Sequence, residues 1–225
     1  MLSHNANATG TLNVLEAARR AKVRRLVYAG SSSAYGHANT YPVVETMPVM
    51  PLSPYAVAKL AGEHYCRVFA RIYGVETVIL RYFNVFGPGQ DPTSQYAAVI
   101  PRFITAALAG QSPVVYGDGE QSRDFCFIDN TVQANLLAAE APGISGMTFN
   151  VACGNTTTLN QVLALLSQML GRPIQARHEA PRVGDVRVSL ADITEARTRL
   201  GYTAPVCFAE GLERTLGWYE KRSQP

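Results

Sequence analysis

Two short apolar runs, each preceded by a stretch of helical periodicity, constrain the fold of this chain more than any other feature. The runs cover about 25–30 and 77–82, and the helical stretches cover about 12–21 and 55–73. Both runs alternate little between apolar and polar residues, which is typical of strands that are covered on both faces. The order helix, strand, helix, strand therefore predicts an α/β fold with a parallel sheet.

The chain beyond residue 88 is less regular and predicts a smaller, mixed α+β region. Strands near 125–152 are expected to return to the first sheet, so the chain divides into 1–87 and 88–225. Asp129 is expected to cap the helix that runs to about residue 140. The other predicted elements are a strand near 113–116 and helices near 100–109, 158–170, 193–200 and 208–221.

Composition excludes several classes of protein. Hydrophobic residues make up 47% and charged residues 16% of the chain, a balance that disordered proteins do not have. The net charge of +3 is not concentrated in a basic stripe, so we expect no nucleic-acid partner. No apolar run reaches about 18 residues, and the segment 1–11 lacks the apolar core of a signal peptide. We therefore expect a cytoplasmic protein with no membrane partner.

The cysteines lie far apart in the sequence, at Cys66, Cys126, Cys153 and Cys207. Metal sites need closely spaced pairs of ligands, and no C-x-x-C motif occurs, so we expect no metal. Reduced and mostly buried thiols are the prediction.

The helix near 55–73 opens with a tyrosine and a lysine four residues apart, Tyr55 and Lys59. Positions i and i+4 share one helix face, so the ammonium group lies near the phenol ring and favours its phenolate form. Such a tyrosine is suited to act as a general base toward a hydroxyl group near pH 7. The chain has 11 tyrosines, so the pair alone is also compatible with coincidence.

Three serines, Ser31, Ser32 and Ser33, end the preceding strand. A hydroxyl there can hydrogen-bond the same substrate hydroxyl that the tyrosine deprotonates. Serine is also common in ordinary polar loops, so the run is not specific alone. Because ligands of parallel sheets bind beyond the carboxyl ends of the strands, we expect the serine run and the loop at Asn84 at the binding edge.

Together these motifs resemble the extended short-chain dehydrogenase/reductase family, in its NAD-dependent nucleotide-sugar epimerase/dehydratase branch. The matching segments follow the family order across nearly the whole chain. They are N-A-T-G-T at 7–11, S-S-S-A-Y-G at 31–36, S-P-Y-A-V-A-K at 53–59, L-R-Y-F-N-V-F-G-P at 80–88, G-D-G-E-Q-S-R-D-F at 117–125 and R-V-G-D at 182–185.

The resemblance implies a fold and a cofactor, NAD. Residues 1–87 would form the C-terminal half of a Rossmann-type NAD-binding domain, and 88–225 a nucleotide-sugar-binding domain. The family carries a glycine-rich phosphate loop before these strands, and no G-x-G-x-x-G occurs in this sequence. We therefore expect a partial Rossmann sheet whose N-terminal strands are missing, with an open edge at the strand 25–30.

The resemblance also assigns catalytic roles. Tyr55 would be the acid/base, Lys59 its partner and a contact of the nicotinamide ribose, and Ser31 the catalytic serine. Ser32 or Ser33 could assist. The implied cofactor-binding set is Asn7, Ser31, Tyr55, Lys59 and Phe83.

The implied substrate is a nucleotide sugar. Asn84 would contact its diphosphate, Arg123 and Arg182 would hold the nucleotide and diphosphate, and Asp185 would bind the uridine ribose. The planar guanidinium suits phosphate, although either arginine taken alone reads more simply as a surface residue. The implied substrate-binding set is Ser31, Ser32, Ser33, Tyr55, Asn84, Val99, Tyr116, Arg123, Arg182, Asp185 and Ser189.

Within the family the chain is similar to the UDP-glucose and UDP-N-acetylglucosamine 4-epimerases. The 4,6-dehydratases usually carry an Asp-Glu pair directly after the catalytic residue, where this chain has Ser32 and Ser33. A bulky tyrosine at the position of Ser189 excludes N-acetylated sugars, so the small serine implies that such sugars fit. The implied reaction passes a hydride from C4 of the UDP-hexose to NAD and back through a 4-keto intermediate.

Three hypotheses remain at this point. The chain is a truncated epimerase, a non-catalytic remnant that binds sugar nucleotide or forms a dimer, or another NAD-dependent nucleotide-sugar dehydratase or reductase. Helices near Asn13 and Tyr55 match those that form a four-helix dimer interface in the family, so a homodimer is expected.

Overall fold

The computed structural model describes residues 1–92, 98–182, 184 and 186–223. Its first half consists of α1 (Leu2–His4), a π-helix (Asn5–Thr9), α2 (Gly10–Arg20), β1 (Arg25–Ser31), a 3₁₀ turn (Ser32–Tyr35), α3 (Pro54–Ile72), β2 (Glu76–Tyr82) and β3 (Val85–Phe86). Its second half consists of α4 (Val99–Leu108), β4 (Val114–Tyr116), β5 (Ser122–Arg123), β6 (Cys126–Phe127), α5 (Ile128–Glu140), β7 (Thr148–Val151), β8 (Thr157–Thr158), α6 (Leu159–Met169), β9 (Arg177–Glu179), β10 (Val188–Ser189), a π-helix (Ala196–Leu200) and α7 (Phe208–Ser223).

A parallel sheet of order β1-β2-β7 forms the centre of the first half. β1 and β2 pair along their whole length, so that Ser31 lies opposite Tyr82 at the carboxyl end. β7 pairs with the other side of β2, as expected for a strand that returns from the second half. The predicted α/β fold with a parallel sheet is confirmed, and β1 is its edge strand in the described part of the chain.

The sheet is covered on both faces, which explains its apolar strands. Ile79 packs with the side chains of α2 and α3, whereas its neighbours Val78 and Leu80 pack with those of α5. This alternation follows from the strand period of two residues. α3 begins at its predicted place because Ser53 accepts a hydrogen bond from the Ala56 amide at 3.1 Å, and Pro54 occupies the first turn.

A second hydrophobic core lies between α4, α6 and α7. It is rich in aromatic side chains, and the Phe86 ring packs edge-on against Phe125 and Phe127. Short strand pairs, β3 with β6 and β4 with β9, connect the elements around it. None of the described helices combines the length and the apolar character needed to cross a membrane.

A charged pair is buried inside the first core. The side chains of Arg81 on β2 and Glu63 on α3 are 1% and 0% exposed, and Nη2 of Arg81 lies 2.8 Å from Oε2 of Glu63. The Arg81 guanidinium also stacks 4.7 Å from the ring centroid of Tyr35, whose hydroxyl donates to Asn150. This network connects α3, β2 and β7 beneath the carboxyl edge of the sheet.

Two details of the sequence interpretation are wrong. Asp129 does not cap α5, because the helix begins one residue earlier, at Ile128, and the Asp129 carboxylate instead accepts a hydrogen bond from Arg214 at 3.0 Å. Cys207 is exposed, whereas Cys66 and Cys126 are buried as expected.

Candidate active site and adjoining cavities

Ser31, Tyr55 and Lys59 lie on two neighbouring elements at the carboxyl end of the sheet, and we call them the sheet-edge site. Ser31 is the last residue of β1, and its Oγ lies 2.8 Å from Oγ of Ser33. Tyr55 lies in the first turn of α3, which packs along β1, and 41% of its surface is exposed. The phenol is therefore open to a ligand above the end of β1.

The Lys59 side chain reaches back toward β1. Its Nζ donates a hydrogen bond to the Ala29 carbonyl at 3.0 Å and lies 6.0 Å from the ring centroid of Tyr55. Burial lowers the pKa of Lys59. The helical spacing of Tyr55 and Lys59 thus brings a cation beside the phenol, while the strand carbonyl holds that cation in place.

Asn7 and Phe83, the other predicted cofactor contacts, have different surroundings. Asn7 is half-buried in the π-helix that contacts α3, and its Nδ2 donates to the Ser3 carbonyl at 3.0 Å. Phe83 follows β2, is 2% exposed, and lies 6.1 Å from Tyr35 between ring centroids. Phe83 therefore contributes a wall rather than a polar contact.

Two cavities adjoin the sheet-edge site, and most of the predicted substrate contacts line them. The serine cavity has a volume of about 380 Å³, and the arginine cavity about 450 Å³. Asn84 and Arg123 line both, so the two cavities meet at these side chains. The serine cavity is also lined by Ser32, Ser33, Phe83 and Ser189, and the arginine cavity by Val99, Arg102, Tyr116, Gln121 and Arg182.

Cations surround one aromatic ring in the arginine cavity. The guanidinium carbon of Arg182 lies 3.8 Å from the ring centroid of Tyr116, at the end of β4. Hydrogen bonds from Arg182 and Arg102 to the phenol lower the pKa of Tyr116. A planar group and a negative charge would both be stabilised here.

Asn84 is held at the junction of the two cavities by a strained backbone and two hydrogen bonds. Its φ of 36° lies in the left-handed region, which asparagine tolerates better than most residues. Its Nδ2 donates to the Asp124 carbonyl at 3.1 Å and to Ser189 Oγ at 3.2 Å. Asn84 and Ser189, which are 105 positions apart in the chain, are thus in direct contact.

A fully buried carboxylate, Asp124, supports this junction from below. It accepts hydrogen bonds from the backbone amides of Cys153 at 2.8 Å and Gly154 at 3.0 Å, and from Ala191 at 3.3 Å. Burial raises its pKa to about 6, although these amides oppose the shift. Asp124 thereby joins the loop after β7 to the segment after β10.

Sequence reasoning found most of these positions and missed three. Asp185 lies outside the described residues. Arg102, Gln121 and Asp124 were not identified as part of the site. Arg102 lies one helical turn after Val99, so helical spacing could have indicated it. Gln121 and Asp124 lie on either side of Arg123 in the matched motif, so their closeness to that arginine could have indicated them.

The sheet-edge site fits one end of a bound NAD. Tyr55 offers an exposed hydroxyl, Lys59 a positioned cation and Ser31 a second hydroxyl, which suit a ribose and the amide beside it. The glycines of the sequence do not supply a phosphate loop there. At Gly87 an added Cβ would lie 2.6 Å from the side chain of Ile128, so the protein itself fills that space.

The chain is similar to several known proteins. The UDP-glucose 4-epimerase of Mycolicibacterium smegmatis is 38% identical to this chain over 97% of the chain and 69% of that protein. The structure of UDP-glucose 4-epimerase from Thermotoga maritima with UDP-glucose superposes with a TM-score of 0.93, at 37% identity, over 97% of this chain and 71% of that one.

A second solved structure is similarly close. It is the UDP-N-acetylglucosamine 4-epimerase from Methanobrevibacter ruminantium in complex with UDP-N-acetylmuramic acid, with a TM-score of 0.89 and 38% identity over 97% of this chain and 70% of that one. Residues 2–152 match the NAD dependent epimerase/dehydratase family. On this evidence the chain belongs to the NAD-dependent epimerase/dehydratase family and is an enzyme of that family, with NAD as its cofactor.

Proposed function

We propose that the protein epimerises UDP-hexoses at C4, with N-acetylated hexosamines among its substrates. The observation that carries this proposal is the continuity of the sheet-edge site with the two cavities. Hydroxyl groups and a cation stand at one end, and two arginines, Arg102 and Arg182, stand at the other, with Asn84 and Arg123 between them. A nucleoside diphosphate sugar has the same order, with the hydroxyl groups of the hexose at one end, the nucleoside at the other and the negatively charged diphosphate between them.

The arginine cavity is proposed to hold the nucleotide. Arg123 and Arg182 would bind the diphosphate, because guanidinium groups form paired, permanently charged hydrogen bonds with phosphate oxygens. Asn84, at the junction of the cavities, would bind the diphosphate from the other side. Val99 and Tyr116 would line the nucleoside, and Asp185 is proposed as a ribose contact. The hexose would then lie in the serine cavity without a tight grip of its own.

The sheet-edge site is proposed to handle the proton at the C4 hydroxyl. NAD, when bound, supplies the hydride acceptor and donor. Tyr55 would take the hydroxyl proton and return it, Lys59 would be its partner and would contact the nicotinamide ribose, and Ser31 would hold the same hydroxyl in position. Because the protein holds the nucleotide more firmly than the hexose, the oxidised sugar can turn over before its other face is reduced.

Three serines support the proposed epimerisation and the proposed N-acetylated substrates, namely Ser32, Ser33 and Ser189. The serines at 32 and 33 offer neither the acid nor the base that elimination of water would require. Ser189 lines the serine cavity 3.2 Å from Asn84, and its small side chain would leave room beside the hexose. A substituent as large as an N-acetyl group would be accommodated there.

The division of the chain into a partial NAD-binding domain, 1–87, and a nucleotide-sugar-binding domain, 88–225, remains a proposal.

A homodimer is also proposed. The outer faces of α2 and α3 expose Val14, Val57, Val68 and Ile72 by between 43% and 67%. Val57, Val68 and Ile72 fall on one side of α3 by helical spacing, which is typical of a helix with a partner. Sedimentation of the wild type and of a Val68→Asp variant would test the dimer, since a monomeric wild type contradicts it.

The function is tested by mixing the 225-residue chain, and any longer product of the same reading frame, with NAD and one nucleotide sugar at a time. We expect UDP-N-acetylgalactosamine from UDP-N-acetylglucosamine, and UDP-galactose from UDP-glucose, detected by chromatography. A 4-keto-6-deoxy product would show a dehydratase instead. Nucleotide-sugar binding without turnover by any form would support the non-catalytic alternative, and the absence of binding would overturn both.

A further inference from the structure

Gln121 lines the arginine cavity, and its buried amide oxygen has no hydrogen-bond partner in the described part of the chain. The residue is 6% exposed and lies just before β5. Its Nε2 donates to the Tyr116 carbonyl at 2.6 Å. A carbonyl oxygen can only accept, so this contact determines which end of the amide is the NH₂ group and leaves Oε1 as the unpaired acceptor.

An unpaired buried acceptor is costly, because it has lost its water without gaining a donor. Such groups are rare in native proteins, and each one asks for an explanation. Gln90 Oε1 is also unpaired, but Gln90 lines neither cavity. For Gln121 the cavity itself offers the explanation, since a bound molecule can supply the missing donor.

The neighbours of Gln121 restrict what that molecule presents. Tyr116, whose backbone Gln121 holds, turns its ring toward the exposed Arg182 side chain, which stacks on it at 3.8 Å. A planar guanidinium on an aromatic ring occupies the space that a planar base would take. Arg123, two residues after Gln121, lies at the junction with the serine cavity. Gln121 therefore lies between a stacking surface and a phosphate-type cation.

We propose that Gln121 Oε1 accepts a hydrogen bond from the nucleoside of the substrate and so contributes to nucleotide selection. This inference rests on the proposed function of the arginine cavity. The donor is either the ring N3–H of uracil or the 2′-hydroxyl of the ribose. Cytosine carries an acceptor at N3 in place of the N–H, so a contact with the base would discriminate between the two pyrimidines, whereas a contact with the ribose would not.

The test is calorimetric binding of UDP, CDP and 2′-deoxy-UDP to the wild type, to Gln121→Met and to the control Gln168→Met. Methionine keeps the length of glutamine and removes the amide, and Gln168 is an exposed residue on α6 that lines neither cavity. We expect Gln121→Met to bind UDP about 5- to 10-fold more weakly, the effect of one hydrogen bond. Gln168→Met should bind as the wild type does.

The pattern across the three nucleotides identifies the donor. Loss for UDP and 2′-deoxy-UDP but not CDP indicates the base, and loss for UDP and CDP but not 2′-deoxy-UDP indicates the ribose hydroxyl. An equal loss for all three would show that Gln121 only supports Tyr116, and no loss would show that it does not contribute to binding; either result would overturn the inference. If the wild type binds no UDP, the proposed function fails, and the inference fails with it.

Discussion

The sheet-edge site and the arginine cavity are built in different ways. Ser31, Tyr55 and Lys59 belong to one strand and the next helix, and Tyr55 is 41% exposed. The arginine cavity collects Arg102, Tyr116, Arg123 and Arg182 from α4, β4, β5 and the segment after β9. The first arrangement follows from local geometry and is open. The second depends on contacts between segments that are distant in the chain.

The buried charges beneath the two regions differ as well. Glu63 beneath the sheet edge is paired with a cation, Arg81, whereas Asp124 beneath the cavities is held by neutral backbone amides. Burying an ion pair costs the desolvation of both groups, and their mutual attraction offsets that cost. For Asp124, burial raises the pKa. The predictions below use these differences, from the largest expected effect to the smallest.

Replacing Tyr55 by Phe should show most clearly that the sheet-edge site affects the reaction rate while the arginine cavity determines nucleotide affinity. We expect the rate of UDP-sugar interconversion to fall about 10²- to 10⁴-fold, because only the group that moves the proton is removed. UDP affinity should change less than about 2-fold, since Tyr55 lines neither cavity. Turnover assays and calorimetry give the two values, with Tyr73→Phe as the matched control. A parallel loss of UDP affinity would contradict the separation.

Replacing Glu63 by Leu should destabilise the fold beneath the sheet edge. The free energy of unfolding is expected to fall by about 3–5 kcal/mol, because the Arg81 guanidinium is left buried without its partner. Urea denaturation measures the change. Glu140→Leu is the control, since Glu140 is in an exposed pair with Arg24 and should cost less than about 1 kcal/mol.

A double variant, Glu63→Leu with Arg81→Met, sharpens this prediction. Removing both charges should restore much of the lost stability, because neither group is then buried alone. If the double variant is as unstable as Glu63→Leu, the loss comes from packing rather than from charge.

Asp124 should make the stability depend on pH. Its folded-state pKa of about 6 lies above the value of an unfolded aspartate, so the folded protein binds the proton more tightly. Its contribution is fully present below the unfolded pKa of about 4 and is lost as pH rises through 6, an effect on the order of 3 kcal/mol. Asp124→Asn should lack this part of the pH dependence in denaturation curves between pH 4 and 7. The same slope in both proteins would refute the assignment.

Replacing Arg182 by Met should weaken nucleotide binding without changing stability. We expect about a 10-fold loss of UDP affinity, from a charged hydrogen bond, and a weaker dependence of binding on salt. Arg177→Met, at an exposed pair with Glu179 on β9, is the matched control. Equal effects of the two variants would mean that general positive charge, and not the cavity, attracts the nucleotide.

The sequence alone was sufficient for the local features. It located the strands β1 and β2, the start of α3 and the pairing of Tyr55 with Lys59, because helix and strand periods determine which side chains share a face. Motif resemblance added Asn84, Arg123, Tyr116 and Ser189 as candidates. Neither could show that Asn84 and Ser189 touch.

Only the tertiary structure decided the rest. The burial of Asp124 depends on amides from two later segments, and the contact between Asn84 and Ser189 spans 105 positions of the chain. The helix position of Asp129 was misjudged for a similar reason, since its carboxylate is engaged by Arg214 from α7. Periodicity determines positions within an element, whereas contacts between distant elements depend on how loops and packing place them, and that information is not local in the sequence.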